Sequence, residues 1–393
     1  MASEWKECTL AELGEIVGGA TPSTKDESNY GGDIAWITPK DLSTLKSRFI
    51  AHGERNITKK GLNSCSTQMM PTNAVLFSSR APIGYVAIAK NPVCTNQGFK
   101  SIVANADNDP MFLYYLLKYN KDAIEAMGSG TTFKEVSSST MRGIRVRVPK
   151  SKAEQQRIAS VLAALDSKIE NNDKTNDNLQ RQLLALYSEL LVAHDIKQTV
   201  DLKTLCAFQE GYVNPSQTHP EYFDGNVKWL RAVDINESFI IETSRTLTTA
   251  GFESAKKSAL LFQPNTIAIS KSGTIGRLGI IADYMCGNRA VINIRPHNPS
   301  HLPLIYAFLK SRQKEFPDLA VGSVQKNLYV SILESLQLVL PETTAVDAFC
   351  NTGCAILELI RNNCQENVSL TNLRDSLLPK LMTGKIDVSS IDT

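Results

Sequence analysis

This sequence lacks long apolar runs, and its first residues do not have the pattern of a secretory signal. No apolar stretch among the 393 residues approaches the roughly 20 residues that a bilayer-spanning helix needs. The opening residues, MASEWKE, show no basic segment followed by an apolar one, so no secretory signal is expected. The sequence therefore predicts a cytoplasmic protein with no membrane partner.

Cysteine occurs without the spacing of a metal site. The eight Cys form no C-x-x-C pair, and no His lies at zinc-site spacing from them. We expect reduced, mostly buried thiols and no metal ion.

Motifs that mark catalysis are also missing. The Gly-containing string SKSGTIGR at 270–277 lacks the Lys-Ser/Thr ending of a phosphate loop. Methylation of a base amine would need an Asn/Asp-Pro-Pro-aromatic tetrad, and the nearest string, NPSQ at 214–217, lacks the second Pro and the aromatic. No Ser or Cys motif marks a nucleophile. These absences favour a non-catalytic binding protein, with an enzyme of unrecognised site as an alternative.

One module of about 190 residues occurs twice. The phrase YGGDIAWITPKDL at 30–42 is echoed by YFDGNVKWLRAVDI at 222–235, so that Trp36 matches Trp229 at an offset of 193 residues. Further matches at an offset of 192 include CTN at 94–96 with CGN at 286–288, and Lys134 with Lys326. Self-similarity over such a span indicates a tandem duplication.

Each module has a globular part followed by a long helix. The globular parts mix β-rich runs with turns and contain one helix candidate each, Met111–Lys118 and Leu304–Lys310. Both end in a strand that runs into a proline, Pro149 or Pro341. The predicted fold class is α+β, with pseudo-symmetric globular domains at 1–150 and 196–341 and helical segments at 151–195 and 342–393.

The helical segments carry apolar residues at alternating spacings of three and four, as in a coiled coil. The first seam consists of Ile158, Leu162, Leu165, Ile169, Asn172, Asn176, Leu179, Leu183, Leu186 and Leu190. The second, less regular seam consists of Phe349, Ile356, Ile360, Asn363, Asn367, Leu370, Leu373 and Leu377. We expect the two helices to pair antiparallel, because Asn residues interrupt both seams at the middle and would then face each other. Solvated Asn where the helices splay is the alternative.

Mild positive charge on the globular parts is typical of a protein that meets a polyanion. Residues 1–150 carry 18 Lys and Arg against 14 Asp and Glu, and residues 196–341 carry 15 against 12. Polar and basic residues cluster in predicted loops, including 131–134 and 323–326, and supply donors for phosphates and base edges. The candidate DNA contacts are Thr21, Ser23, Lys25, Lys40, Ser79, Arg80, Lys134, Arg231, Lys271, Ser272, Arg277, Arg289 and Lys326.

The repeated Trp and Asp are interpreted differently. Trp36 and Trp229 are flanked by apolar residues, which favours core anchors over base-stacking platforms. With Asp41 and its match Asp234, they are expected to be fixed points of the scaffold. The residues beside them differ between the two modules, with TPK at 38–40 against RAV at 231–233.

Over its whole length the chain resembles the specificity subunit of Type I restriction–modification enzymes. The resemblance rests on the duplicated module and on GGATPST (18–24), ITPKDL (37–42), SSRAPIG (78–84), EQQRIASVLAALDSKIE (154–170) and LRDSLLPKLMTGKIDV (373–388). The second helix departs from the family in TAVDAFCNTGCAILE (344–358), which replaces a Gln-rich, Arg-containing opener.

The resemblance implies two target recognition domains, each reading one half of a split sequence in double-stranded DNA, and an antiparallel coiled coil that sets the gap. It also implies two modification subunits that carry S-adenosylmethionine and methylate adenine, and restriction subunits that use ATP and Mg. This chain would hold no cofactor and no catalytic residue. A duplicated protein–protein scaffold without DNA specificity is the alternative from another class.

Overall fold

The computed structural model describes residues 4–130, 134–322 and 326–389, which divide into two units. Unit 1 comprises Met1–Glu170 and Ser369–Thr393, and unit 2 comprises Asn171–Val368. There are two long helices, Lys152–Ala193 and Thr343–Met382. Each has one part in unit 1 and the other part in unit 2. None of the described helices is long and apolar enough to cross a membrane.

Unit 1 is organised around a five-stranded mixed sheet. In spatial order its strands are Gly14–Gly18, Lys100–Ala104, Val75–Ser79, Ile83–Ala89 and Phe49–Ile50. A second sheet consists of Asn56–Ile57, Tyr30–Ile37 and Cys94–Thr95, and a ribbon pairs Trp5–Thr9 with Arg145–Pro149. The short helices are Leu10–Leu13, Pro39–Ser43, Lys59–Asn63, Pro110–Tyr119, Lys121–Ala126 and Ser138–Gly143, with a 3-10 turn at Glu27–Asn29.

Both faces of the central strand Val75–Ser79 are buried, which explains its continuous apolar run. Val75 and Phe77 pack in the same core as the helix Pro110–Tyr119, whereas Leu76 packs in a second core with Ile37. The five-stranded sheet therefore lies between two apolar layers.

Unit 2 repeats this arrangement. Its five-stranded sheet has the order Cys206–Glu210, Val291–Pro296, Thr266–Ser270, Leu278–Ile281 and Phe239–Ile240, which are the counterparts of the unit 1 strands one by one. The second sheet consists of Thr246–Leu247, Phe223–Leu230, Met285–Gly287 and Leu261–Phe262, and a ribbon pairs Gln198–Asp201 with Gln337–Leu340. The short helices are Thr249–Glu253, Leu302–Ser311, Phe316–Leu319 and Val330–Glu334, with 3-10 turns at Leu202–Thr204, Pro220–Tyr222, Ala232–Asp234, Lys256–Ser258, Pro299–His301 and Gln313–Glu315.

The helix candidates at 111–118 and 304–310 are confirmed as Pro110–Tyr119 and Leu302–Ser311. The predicted final strands are confirmed as well: one is Arg145–Pro149, and the other, Gln337–Leu340, ends one residue before Pro341.

The long helices pair antiparallel, as predicted. In unit 2, Asn172 bonds to Asn367, Asn176 bonds to Asn363, and the ring of Tyr187 lies 6.0 Å from that of Phe349. As the residue number rises along the first helix, that of its contact on the second helix falls, which is the pattern of an antiparallel pair. Buried seam residues are Ile158, Leu162, Asn172, Asn176, Leu183, Leu190, Ile356 and Ile360. Half-buried ones are Leu165, Ile169, Leu179, Leu186, Asn363, Leu370 and Leu377.

One seam assignment is wrong. Leu373 is 47% exposed, because the phase of the second helix shifts there and Arg374 turns inward instead. The guanidinium of Arg374 lies 2.7 Å from Asp166 on the first helix, within unit 1. A charged residue in a seam is hard to predict, since the apolar spacing favoured Leu373.

The Asn layers in unit 2 are paired rather than solvated, and their members on the first long helix are buried. Asn172 and Asn176 are 5% and 7% exposed. The amide of Asn172 donates to Asn367 Oδ1 at 2.8 Å, and the amide of Asn363 donates to Asn176 Oδ1 at 2.8 Å. Asn367 donates in turn to Asp173 Oδ1 at 2.8 Å. Such pairs form in one register only, so they specify how the helices align.

Candidate nucleic-acid interface

The two repeated Trp residues are core anchors, as predicted. Trp36 and Trp229 are 6% and 5% exposed. Each indole N–H donates to a backbone carbonyl at an equivalent position, Ala20 at 3.1 Å and Val213 at 2.8 Å. The indoles therefore tie the polar loop before each strand to the core, and neither offers a face for stacking on a base.

The repeated Asp residues clamp the next loop. The two oxygens of Asp41 accept from the backbone N–H groups of Thr38 and Glu54, both at 2.7 Å. In unit 2, Asp234 accepts from Arg231 and Ser244, both at 2.9 Å. Because the clamp uses backbone donors, the side chains between its ends can vary without loss of the loop geometry.

Three separate motifs of unit 1 meet at a surface cleft of about 410 Å³. The cleft is lined by Thr38, Pro39, Lys40, Arg80, Ala81, Asn96 and Gly98. Two backbone bonds bring the motifs together: Asn96 N donates to Ile37 O at 3.0 Å, and Ser79 N donates to Gly98 O at 2.7 Å. Sequence reasoning missed Asn96 and Gly98 as lining residues, although the repeated Asn was visible.

Unit 2 has the same backbone framework with different side chains. Asn288 N donates to Leu230 O at 3.0 Å, and Lys271 N donates to Ala290 O at 2.7 Å, which reproduces both bonds of unit 1. Arg231, Val233, Ser272 and Arg289 stand where unit 1 has Thr38, Lys40, Arg80 and Gln97. The repeat thus preserves the framework and changes the chemistry presented on it.

Carboxylates accompany the cations of the unit 1 cleft. Lys40 pairs with Glu54 at 2.7 Å, and both side chains are exposed. Arg80 Nη1 lies 3.6 Å from Glu135 Oε2, and Lys100 Nζ lies 3.3 Å from Glu135 Oε1. Glu135 is 55 residues from Arg80 in the sequence, and no spacing pattern could have paired them.

A cluster of different composition occurs in unit 2. Lys271 Nζ lies 2.7 Å from Glu210 Oε1, and the hydroxyl of Tyr212 donates to Glu210 Oε2 at 2.5 Å. Burial acts to raise the pKa of Glu210, but the hydrogen bonds from Lys271 and Tyr212 outweigh it and hold the pKa below its usual value. Lys271 also lies 5.6 Å from the ring centre of Tyr329.

Comparison with known proteins decides the family. The family model described as the Type I restriction modification DNA specificity domain matches residues 2–181 and again residues 195–368. The chain belongs to this family. The two matches coincide with the two copies of the module.

Specificity subunits from other organisms match along nearly the whole chain. The MjaIX specificity subunit of Methanocaldococcus jannaschii is 31% identical, over 99% of this chain and 95% of its own length. The HindI specificity subunit of Haemophilus influenzae is 22% identical, over 98% of this chain and all of its own. The crystal structure of the Type I S subunit from M. genitalium superposes with a TM-score of 0.58 at 18% identity, covering 96% of both chains, and so shares the fold.

The candidate DNA contacts of this specificity-family member differ in accessibility. Exposed candidates are Ser23, Lys25, Lys40, Lys134, Arg289 and Lys326. Half-buried ones are Thr21, Arg80, Arg231, Lys271, Ser272 and Arg277. The loop residues 131–133 and 323–325 lie outside the described residues.

Ser79 is the candidate that the structure contradicts. Its side chain is fully buried, and its hydroxyl donates to Gly98 O at 3.2 Å. The residue therefore holds the cleft framework together and is not available to DNA. Lys271 is more accessible, but its side chain is only 17% exposed and already paired with Glu210.

Thr21 and Arg231 are also held by neighbours. The hydroxyl of Thr21 donates to the side chain of Gln97. Arg231 Nη2 donates to Ser244 Oγ at 2.5 Å, and its guanidinium lies 5.5 Å from the ring centre of Trp229. Arg231 therefore presents an oriented guanidinium rather than a flexible one.

Proposed function

We propose that the two globular units read the two halves of a split sequence in double-stranded DNA, one half each. Unit 1 would do so through the cleft formed by 38–40, 80–81, 96 and 98, and unit 2 through the equivalent positions. The observation that carries this proposal is the preserved framework with exchanged side chains, Lys40 against Val233 and Arg80 against Ser272. Base edges are distinguished by the donors and apolar groups presented to them. Two clefts with different groups therefore suit two different half-sites.

The recognition domains would be 1–150 and 196–341, and the helical segments 151–195 and 342–393 would set the unread gap. Helices of 42 and 40 residues are each about 60 Å long at 1.5 Å per residue. The segment at 151–195 carries five Lys and Arg against seven Asp and Glu, so it suits protein contacts better than DNA. Two modification subunits would dock along these helices and domains, and restriction subunits would join them.

The chemistry would reside in those partners. The modification subunits would carry S-adenosylmethionine and methylate adenine, and the restriction subunits would use ATP with Mg. This chain would supply no catalytic group, which agrees with the lack of a methyltransferase tetrad in its sequence. Its contribution would be to select the site at which the partners act.

Mapping methylated adenines in cells that make this chain with its partners tests the proposal. We expect one split motif with two defined halves and a gap of fixed length. A genome without such a motif would refute it, and methylation by the purified chain alone would identify an enzyme instead. Affinity for duplex DNA should also fall steeply with salt, whereas unchanged affinity would favour the protein–protein scaffold.

A further inference from the structure

The guanidinium of Arg80 is oriented by a carboxylate at the wall of the unit 1 cleft. Arg80 lines the cleft, and its side chain is 34% exposed. Glu135 contacts Arg80 with one oxygen at 3.6 Å and Lys100 with the other at 3.3 Å. Arg80, Lys100 and Glu135 thus form a trio of side chains. Of its two cations, Lys100 is only 11% exposed, so the cation that is accessible to a ligand is Arg80.

The backbone fixes the carboxylate in turn. Arg80 and Glu135 are partners in an antiparallel β-bridge, and Val136 N donates to Ser79 O at 3.0 Å. On its other side Glu135 exchanges two backbone bonds with Ser129, at 2.9 and 3.0 Å. The backbone of Glu135 is therefore fixed on both sides, and its carboxylate is held by the contacts with Lys100 and Arg80.

The trio keeps one net positive charge, since two cations share one carboxylate. A guanidinium has five N–H donors, and a single contact at 3.6 Å leaves donors available for a ligand. Because its direction is already restricted, Arg80 loses less side-chain entropy when it binds a planar, two-acceptor edge. In the DNA major groove that edge is the O6 and N7 pair of guanine.

All three members of the trio are absent from the second module. Ser272, Ile292 and Asn327 stand at the positions that match Arg80, Lys100 and Glu135. These three side chains are thus not among the fixed points that both copies share, unlike the repeated Trp and Asp residues. Because all three differ together, we infer that these side chains act together, in one half of the target.

We propose that Arg80 reads a guanine in the half-site recognised by unit 1, and that Glu135 is its positioning residue. This deepens the proposed function and rests on it. Arg80 makes two hydrogen bonds to the guanine, and Glu135 holds the guanidinium plane toward the base. A phosphate contact by Arg80 would need no such orientation.

Methylation maps of Arg80→Gln, Arg80→Lys and Glu135→Gln test the proposal, with Arg145→Gln as the control. Arg145 is an exposed Arg that pairs with Glu7 at 3.3 Å and does not line the cleft. Arg80→Gln should reduce discrimination for guanine at one position of one half-site by about 5- to 150-fold. Glu135→Gln should weaken discrimination at that same position only, and Arg80→Lys should retain part of it, because Lys also bonds to guanine.

The control should leave the motif unchanged. A motif unaltered by Arg80→Gln would overturn the proposal, as would a DNA affinity that falls equally for all sequences with a salt slope lower by about one, the result for a phosphate contact. Effects in both half-sites would also overturn it. If the wild type gives no split motif, the proposed function itself fails, so the two failures are distinguishable.

Discussion

Asp166 and Arg374, 208 residues apart in the sequence, form an ion pair at 2.7 Å between the two long helices in unit 1. Their side chains are 7% and 17% exposed. The second oxygen of Asp166 accepts from the hydroxyl of Tyr115 at 2.6 Å, and burial raises the pKa of Tyr115 so that it remains a donor. The ion pair thus joins both helices to the core of the globular part.

Removal of the Asp166 carboxylate should therefore lower the free energy of unfolding. Asp166→Ala leaves Arg374 buried without its main partner, and we expect a loss of about 3–5 kcal/mol in the free energy of unfolding. Asp375→Ala is the control, because Asp375 also contacts Arg374 but is exposed, and its loss should be within about 1 kcal/mol. Urea unfolding of the purified chain measures both, and equal small losses would contradict the account.

The paired Asn residues predict that substitutions at Asn176 and Asn363 will have non-additive effects on the free energy of unfolding. Asn176→Leu removes the acceptor of the Asn363 amide, and an amide left unsatisfied at this half-buried position should cost about 1 kcal/mol. Replacement of both Asn by Leu should recover this loss, because the layer becomes apolar. A double-mutant cycle in urea checks the coupling. Additive losses would mean that the two amides are independent.

Gly353 lies inside the second long helix, in its first third, where Ala is normally the better residue. A Cβ at Gly353 would lie 2.5 Å from Pro303 Cβ, so we expect Gly353→Ala to destabilise the chain by about 1–3 kcal/mol. At the control position Gly143, also helical, a Cβ would meet nothing within 4 Å, so Gly143→Ala should be neutral or stabilising. Thermal unfolding distinguishes the two, and equal Tm shifts would contradict this explanation.

The buried thiols lead to predictions about the alkylation of the cysteines and about the pH dependence of stability. Burial raises the pKa of Cys94 to about 11 and that of Cys286 to about 12, so at pH 8 both should resist alkylation. Burial also raises the pKa of Cys354, but its side chain is exposed, so it should react faster than either. The stability that the neutral thiols contribute is complete below about pH 8.5, the pKa of a free thiol, and is lost as pH rises toward 11–12. Mass spectrometry after alkylation and urea midpoints at rising pH measure these effects. Labelling of Cys94 as fast as that of Cys354 would contradict them.

Periodicity and repetition made much of the fold predictable. The a/d spacing of Ile158 to Leu190 indicated a coiled coil, and the matching Asn layers predicted its antiparallel sense, because these signals are local or repeated. The Trp pair was correctly assigned to the core from its apolar neighbours. Leu373 was misplaced because a buried charge at Arg374 is set by its partner and not by its spacing.

The candidate site was less predictable. Basic loop residues identified Lys40 and Arg80, but Ser79 was included because a short polar residue gives no sign of its burial beside Gly98. Glu135 and Glu210 went unrecognised, since long-range ion pairs leave no spacing signal. Sheet topology, which brings positions 38, 80 and 96 together, decides the site and cannot be inferred from any of the three motifs alone.

The most direct test of the account replaces residues 1–150 with the same region of another specificity subunit and maps methylated adenines in cells that contain the partner subunits. We predict that one half of the motif changes while the other half and the gap stay the same. An assembled complex whose motif is unaltered, or in which both halves change, would contradict the claim that each unit reads its own half.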